Sequence, residues 1–274
     1  MGLTSFAPVV SAQDSAKPLI VTSIKPLAII AKSAFKDRVR VEYIMPAGQS
    51  PHDYVVKLSD IRKLSSANLV FWIGPDFEVR AAKQFAAVPA TKLVTAMNLI
   101  YPDHEATATD VHDHHDQDID PHIWLSSTFA KQLVENLSKR LNLQSGEVFS
   151  ESAQKITEDL LVNAKKGNYV VHHQGFGYFV EEFELQSGLS IRDMRGKQQG
   201  AKTQYNLRLE GKKRGVSCVF IEPQHGHKDA MAVAKDLSVP ATTIDILAVA
   251  SDGELPSYES YIYGLATQFS ACFK

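Results

Sequence analysis

Short apolar, β-branched runs recur along this chain, and most are followed by residues with helical spacing. Leu19 to Ser23, Val39 to Met45, Leu69 to Ile73 and Lys92 to Thr95 read as strands in the first half. Tyr169 to Val171, Leu189 to Arg192, Val216 to Ile221 and Ala241 to Ile246 do so in the second. Ile24 to Ala34, Glu78 to Phe85, Gly175 to Phe183 and Ala230 to Leu237 read as helices between them, and Ser59 can cap a short one through Ile61 and Leu64. Arg195 to Tyr205 is polar and reads as loop. Alternation of this kind admits few solutions, because consecutive strands must lie parallel with helices crossing the sheet faces. The expected class is α/β: two doubly wound domains with parallel central sheets, joined by a backbone helix.

The middle of the chain sets the division. Ser126 or Ser127 can cap a helix whose Phe129, Leu133, Leu137 and Leu141 recur at four-residue steps. Beyond Gly146, Phe149, Ala153, Ile156 and Leu160 continue helical spacing towards Ala164, and Gly167 ends it. Neither proline nor a flexible Gly/Ser linker interrupts Glu147 to Ala164, so a helix joins the halves and limits hinge motion. A length of 274 residues suits two domains that each bury a core. The expected boundaries are 17–145 for the N-terminal domain, 146–166 for the linker helix and 167–274 for the C-terminal domain. Residues 1–16 read as a signal remnant: Leu3 to Ala12 is apolar and small, and Val10-Ser11-Ala12 resembles a cleavage site. A final helix runs from a Ser257 cap through Tyr261, Leu265 and Phe269 to Cys272.

A formal net charge of -2 gives no reason to expect nucleic acid or an anionic membrane as partner. No run reaches the roughly 18 apolar residues that a membrane span needs. The two cysteines, Cys218 and Cys272, suggest a disulfide in an exported chain, with two buried thiols as the alternative. A bridge would contribute about 4 kcal/mol by loop entropy.

Histidines carry the chemistry. His52 and His122 each follow a proline, which stiffens the backbone that presents them. His173 lies where a strand meets the next helix. His172 beside it should point to the opposite side. In doubly wound sheets, ligands gather outside the carboxyl ends of the strands, where Asp245 is also expected. His52, His122, His173 and Asp245 would form a borderline-soft, four-coordinate set suited to Zn2+. His225 and His227 follow Glu222-Pro223-Gln224 and read as exposed loop residues, residues near the site mouth or a minor second site. Pro102 to Asp118 holds His104, His112, His114 and His115 among six acidic residues, without apolar periodicity. Such a tract can capture divalent metal weakly.

Several segments, in order, resemble the periplasmic zinc-binding (ZnuA-type) receptors of ABC importers, in the metal-receptor cluster. They are Ser50-Pro51-His52-Asp53-Tyr54, Val70-Phe71-Trp72-Ile73-Gly74-Pro75, Asp120-Pro121-His122-Ile123-Trp124-Leu125, His173-Gln174-Gly175-Phe176-Gly177-Tyr178-Phe179, Cys218-Val219-Phe220-Ile221-Glu222-Pro223-Gln224 and Ile244-Asp245. The resemblance spans Leu19 to Lys274. It implies two α/β domains with the metal between them, His52, His122 and His173 as ligands, and Asp245, water or Glu222 at the fourth position. It favours His173 over His172, because Gly177-Tyr178-Phe179 follows in register. A histidine at the third position, the Cys218–Cys272 pairing and a His-rich loop before His122 resemble the zinc branch. Gln174 replaces a usual aspartate, and Ala248 replaces a common glycine.

The implied function is an extracytoplasmic, monomeric receptor delivering Zn2+ to an ABC permease in the inner membrane. The alternatives are a manganese or iron receptor of the same fold and a zinc hydrolase. The hydrolase lacks support in motifs, since neither H-E-x-x-H nor a nucleophile elbow is present.

Overall fold

The computed structural model describes residues 17–46, 48–103, 119–251 and 253–273. The signal remnant of 1–16 and the histidines at 104, 112, 114 and 115 lie outside them.

Two four-stranded parallel sheets form the frame. The first has the order β2-β1-β3-β4, from β1 (Leu19–Thr22), β2 (Arg40–Tyr43), β3 (Leu69–Trp72) and β4 (Leu93–Thr95). The second repeats it as β6-β5-β7-β8, from β5 (Tyr169–His173), β6 (Leu189–Arg192), β7 (Cys218–Ile221) and β8 (Ala241–Thr243). The central strands β1, β3, β5 and β7 are buried along their whole length, while β2 and β8 are part-exposed. Helices cover both faces of a parallel sheet, so central strands read as continuous apolar runs.

The helices are α1 (Lys25–Phe35), α2 (Leu58–Ser66), α3 (Ala82–Ala86), α4 (Ala96–Ile100), α5 (Ser127–Leu141), α6 (Glu151–Leu161), α7 (Gly177–Glu182), α8 (Ala201–Arg214), α9 (Lys228–Leu237) and α10 (Tyr258–Ser270). Ser126 caps α5 by accepting from Phe129 N at 3.2 Å, and Ser150 caps α6 from Ala153 N at 3.2 Å. Ser257 caps α10 from Ser260 N at 3.1 Å. In the expected 146–166 linker, only Glu151–Leu161 is α-helical, and it packs on α10.

Four local expectations differ from the structure. Ser59 does not cap α2; Asp60 Oδ2 accepts from Lys57 N at 2.8 Å instead. The helix expected from Glu78 starts only at Ala82, because the Glu78 carboxylate accepts from Ile73 N (3.1 Å) and Gly74 N (2.8 Å). Those bonds accompany turns over residues 75–81. Part of the polar stretch taken as loop belongs to α8, which buries only Leu207 and Gly211 and so shows no apolar stripe. Strand β8 ends at Thr243, which leaves Asp245 on the following loop.

The main core runs through both halves. It includes Phe35, Phe71 and Trp124 together with Tyr169, Phe179, Phe220, Tyr258 and Phe269. A smaller core, including Val170, Ile191, Val219 and Val233, fills the other face of the second sheet under α8 and α9. Trp124 is the pivot: its Nε1 donates to Ile246 O at 3.0 Å, and Tyr258 Oη donates to its carbonyl at 2.8 Å. Ser127 N donates to Glu182 Oε2 at 2.7 Å, a further tie across the halves. Cys218 on β7 is disulfide-bonded to Cys272, with Cα atoms 5.8 Å apart. Among the described residues, no helix is long and apolar enough to cross a membrane.

Candidate metal centre

Each histidine of the site stands where a strand or loop hands over to the next element. His52 sits in a single 3-10 turn, Pro51–Asp53. His122 immediately precedes the 3-10 turn Ile123–Leu125. His173 is the last residue of β5, at the carboxyl end of the sheet. All three are buried. Their candidate ligand atoms lie within 4.8 Å of one another. His122 Nε2 and His173 Nε2 are 3.0 Å apart. Rings of His52 and His122 have centroids 5.9 Å apart, and those of His52 and His173 6.2 Å.

Two imidazoles are fixed from behind by carboxylates. Asp120 Oδ1 lies 2.6 Å from His122 Nδ1 and also accepts from its backbone N at 2.9 Å. Glu222 Oε1 does the same for His173, at 2.6 Å to Nδ1 and 3.1 Å to N. A carboxylate on Nδ1 holds the proton there and leaves Nε2 as the donor to a metal. Glu222, on the turn after β7, therefore supplies the orientation that Gln174 cannot. Neither carboxylate's role was read from the sequence. In Asp120 the signal was available, since it lies two residues before its histidine; in Glu222 none existed.

Electrostatics agree with that arrangement. Burial lowers the pKa of His52 to about 2, with His122 and His173 adding to it. Burial also lowers His122, against the opposing pull of Asp120. Burial acts to raise the Glu222 carboxyl, but the charge and hydrogen bond of His173 outweigh it, and its pKa lies below the usual range. The same balance, with His122 as partner, keeps Asp120 ionised. Burial thus keeps His52 and His122 unprotonated, and the Asp120 and Glu222 carboxylates stand one hydrogen bond behind His122 and His173.

His52 Nδ1 is buried and without a hydrogen-bond partner, as is Asp245 Oδ1. The gap between the histidines is about 10 Å³ and is lined also by Phe77, Trp124, Gln224 and His225, with Ile246 and Leu247. That is close to the smallest space able to hold one water, and far below an organic ligand site. Gly175 seals one side: a Cβ there would lie 2.5 Å from His173 Nε2 and 2.9 Å from His122 Nε2.

The structure thus brings His52, His122 and His173 together. Asp245 is buried but stands outside that group; its Oδ2 accepts from Ala250 N at 2.8 Å. His172 points away, with Nε2 2.9 Å from Asp229 Oδ1. Asp229 also takes Arg192 Nε at 2.8 Å. His225 sits at the rim, whereas His227 is exposed.

Comparison with known proteins follows the same lines. The family model described as zinc-uptake complex component A, periplasmic, matches residues 20–272. High-affinity zinc uptake system protein ZnuA of Yersinia pestis is 29% identical over 293 residues, covering 94% of this chain and 92% of that protein. Its counterpart in Haemophilus influenzae is 27% identical over 328 residues, covering 97% and 96%. A crystal structure of a zinc-bound ZnuA deletion mutant superposes with a TM-score of 0.72 at 22% identity, covering 94% of this chain and 98% of that one. A manganese-bound periplasmic metal-binding protein from Candidatus Liberibacter asiaticus gives 0.73 at 20% identity, covering 94% and 100%. At such identities these two structures establish the two-sheet fold.

Proposed function

The chain belongs to the periplasmic zinc-uptake complex component A family, and on that premise we propose that it captures Zn2+ outside the cytoplasm and delivers it to an ABC permease. One observation carries the assignment. Three buried imidazoles, two of them backed by carboxylates, surround a gap the size of a single ion. His52, His122 and His173 are the proposed ligands, with zinc as cargo.

A set with three imidazole nitrogens favours Zn2+ over Mn2+, which prefers oxygen. The fourth position is assigned to Asp245, whose buried Oδ1 has no hydrogen-bond partner. The receptor is expected to act as a monomer. The His-rich tract at 104–115 is proposed to capture divalent metal weakly, on its composition alone. Catalysis is not part of this reading, because the gap leaves no room for an organic substrate beside the ion.

Calorimetric titration of the metal-free chain with Zn2+ and Mn2+ tests the assignment. Wild type should bind one zinc tightly in the three-histidine gap and prefer it over manganese, and His173→Ala should lose that binding. Unchanged tight binding by His173→Ala would remove the assignment.

A further inference from the structure

Among the described residues, a second set of candidate ligand atoms lies within 4.8 Å of one another: those of His173, Glu222 and His225. We propose that these three form an outer metal station at the mouth of the site, sharing His173 with the inner three-histidine station, so that a single Zn2+ occupies one or the other. The proposal rests on reading the inner set as a cargo zinc site.

Geometry places His225 between the inner set and solvent. It stands on the turn after β7, where its N–H donates to Glu222 O at 3.1 Å. Its ring centroid is 5.1 Å from that of His172 and 5.1 Å from that of His173. It is only part-buried, unlike the inner three, yet lines the same gap. Gly196, at φ +72°, lies over the rim, where a Cβ would be 3.2 Å from His225 Cε1 and 3.7 Å from His52 Cδ2. One turn therefore roofs a histidine from each station. Glu222 faces the Nδ1 edge of His173, and His122 faces the Nε2 edge. The two stations use opposite edges of one ring.

A path between the stations avoids stripping the ion. A divalent cation released from three imidazoles at once would stand uncoordinated in a buried space, which is prohibitively unfavourable. Stepwise exchange replaces ligands instead. Bonds to His52 and His122 break as bonds to His225 and the Glu222 carboxylate form. His173 changes its donor from Nε2 to Nδ1, and the displaced Nδ1 proton is regained at Nε2 through solvent, so no net proton is taken up or lost. Both stations draw on the one His173 ring, so occupancy is exclusive, and the ion moves rather than pairs.

The test uses the full metal-free chain, with Zn2+ as probe and a fluorescent zinc chelator as competitor. His52→Ala damages only the inner station, so it should retain one weaker site; adding His225→Ala should weaken that remnant by about tenfold or more. In an otherwise wild-type chain, His225→Ala should slow zinc release to the chelator by about tenfold. His225→Gln, which keeps polarity without an imidazole, should behave alike, and thermal melts check that each variant is folded. The outer station is overturned if His225→Ala leaves the remnant site and the release rate unchanged, or if His52→Ala alone abolishes binding. Those results leave the inner assignment standing, whereas tight zinc binding by His173→Ala overturns both.

Discussion

Replacing Gly175 with alanine would put a methyl group into the space where the proposed site holds its ion. Zn–N bonds to imidazole are about 2.1 Å long. The added Cβ would lie 2.5 Å from His173 Nε2 and 2.9 Å from His122 Nε2, close to where an ion bound to both nitrogens is proposed to sit. Ordinary contacts begin at 3.4 Å, and the imidazoles would have to retreat by several tenths of an ångström to nearly one. Binding constellations tolerate displacements of about 0.5 Å. The carboxylates that fix both rings at 2.6 Å resist the retreat. Zinc affinity should fall by at least about a hundredfold, or roughly 2.8 kcal/mol at 1.4 kcal/mol per tenfold. The backbone of Gly175 is not left-handed, so alanine brings no conformational penalty. Chelator competition reads the affinity, and metal-free melting curves report folding. A folded Gly175→Ala that binds zinc within threefold of wild type would refute the placement of the ion between these two nitrogens.

Three further outcomes follow from the fold. Burial raises the pKa of Glu78 to about 7 from 4.5, so the folded state keeps a proton that the unfolded state gives up. Its contribution is intact below pH 4.5 and is lost as pH rises through 7; denaturation of wild type and Glu78→Gln at pH 5 and pH 8 should show the difference shifting towards the variant by up to about 3 kcal/mol, and parallel pH profiles would contradict this. Ala248 holds φ 54°, a left-handed conformation that suits glycine, so Ala248→Gly should gain about 0.5–1 kcal/mol in urea denaturation, and a loss would show that its methyl packs usefully. Reducing Cys218–Cys272, which closes a loop over a sequence separation of 54, should cost about 2–4 kcal/mol of stability under the same assay; an unchanged midpoint would mean the bridge is incidental.

Legibility in the sequence followed the origin of each signal. Strands β1, β3 and β7 could be read because central parallel strands must be apolar on both faces, and the order of the elements then dictates the class. His52 and His122 stood out through the prolines before them, a local effect. His173 could be separated from His172 only by register with a known family, since both are buried in the same strand. Helix α8 stayed hidden because it buries so little that no stripe marks it. The false start of α3 came from Glu78, whose spacing fits a helix but whose carboxylate binds backbone N–H groups of the preceding turn. Glu222 was invisible as a partner of His173 because 49 residues separate them, and only the pairing of β5 with β7 makes them neighbours.

That pairing bears on how the site can hold a dication inside a protein. Neutral imidazoles bring no charge, and a bare divalent ion among them would be unbalanced in a poorly solvated gap. Asp120 and Glu222 remain ionised through their histidines and stand one hydrogen bond behind the donors, so two negative charges offset two positive ones. Without metal the same carboxylates are buried with no cation beyond the imidazoles beside them, a state that costs stability. Zinc bound at the proposed ligands would relieve it, adding to the stabilisation that any ligand of the native state confers. The two carboxylates come from opposite halves: Asp120 lies before α5, and Glu222 follows β7. Cargo binding and the closeness of the two sheets are therefore one electrostatic problem. A solution that placed both anions on a single half would leave the other half's histidine unoriented.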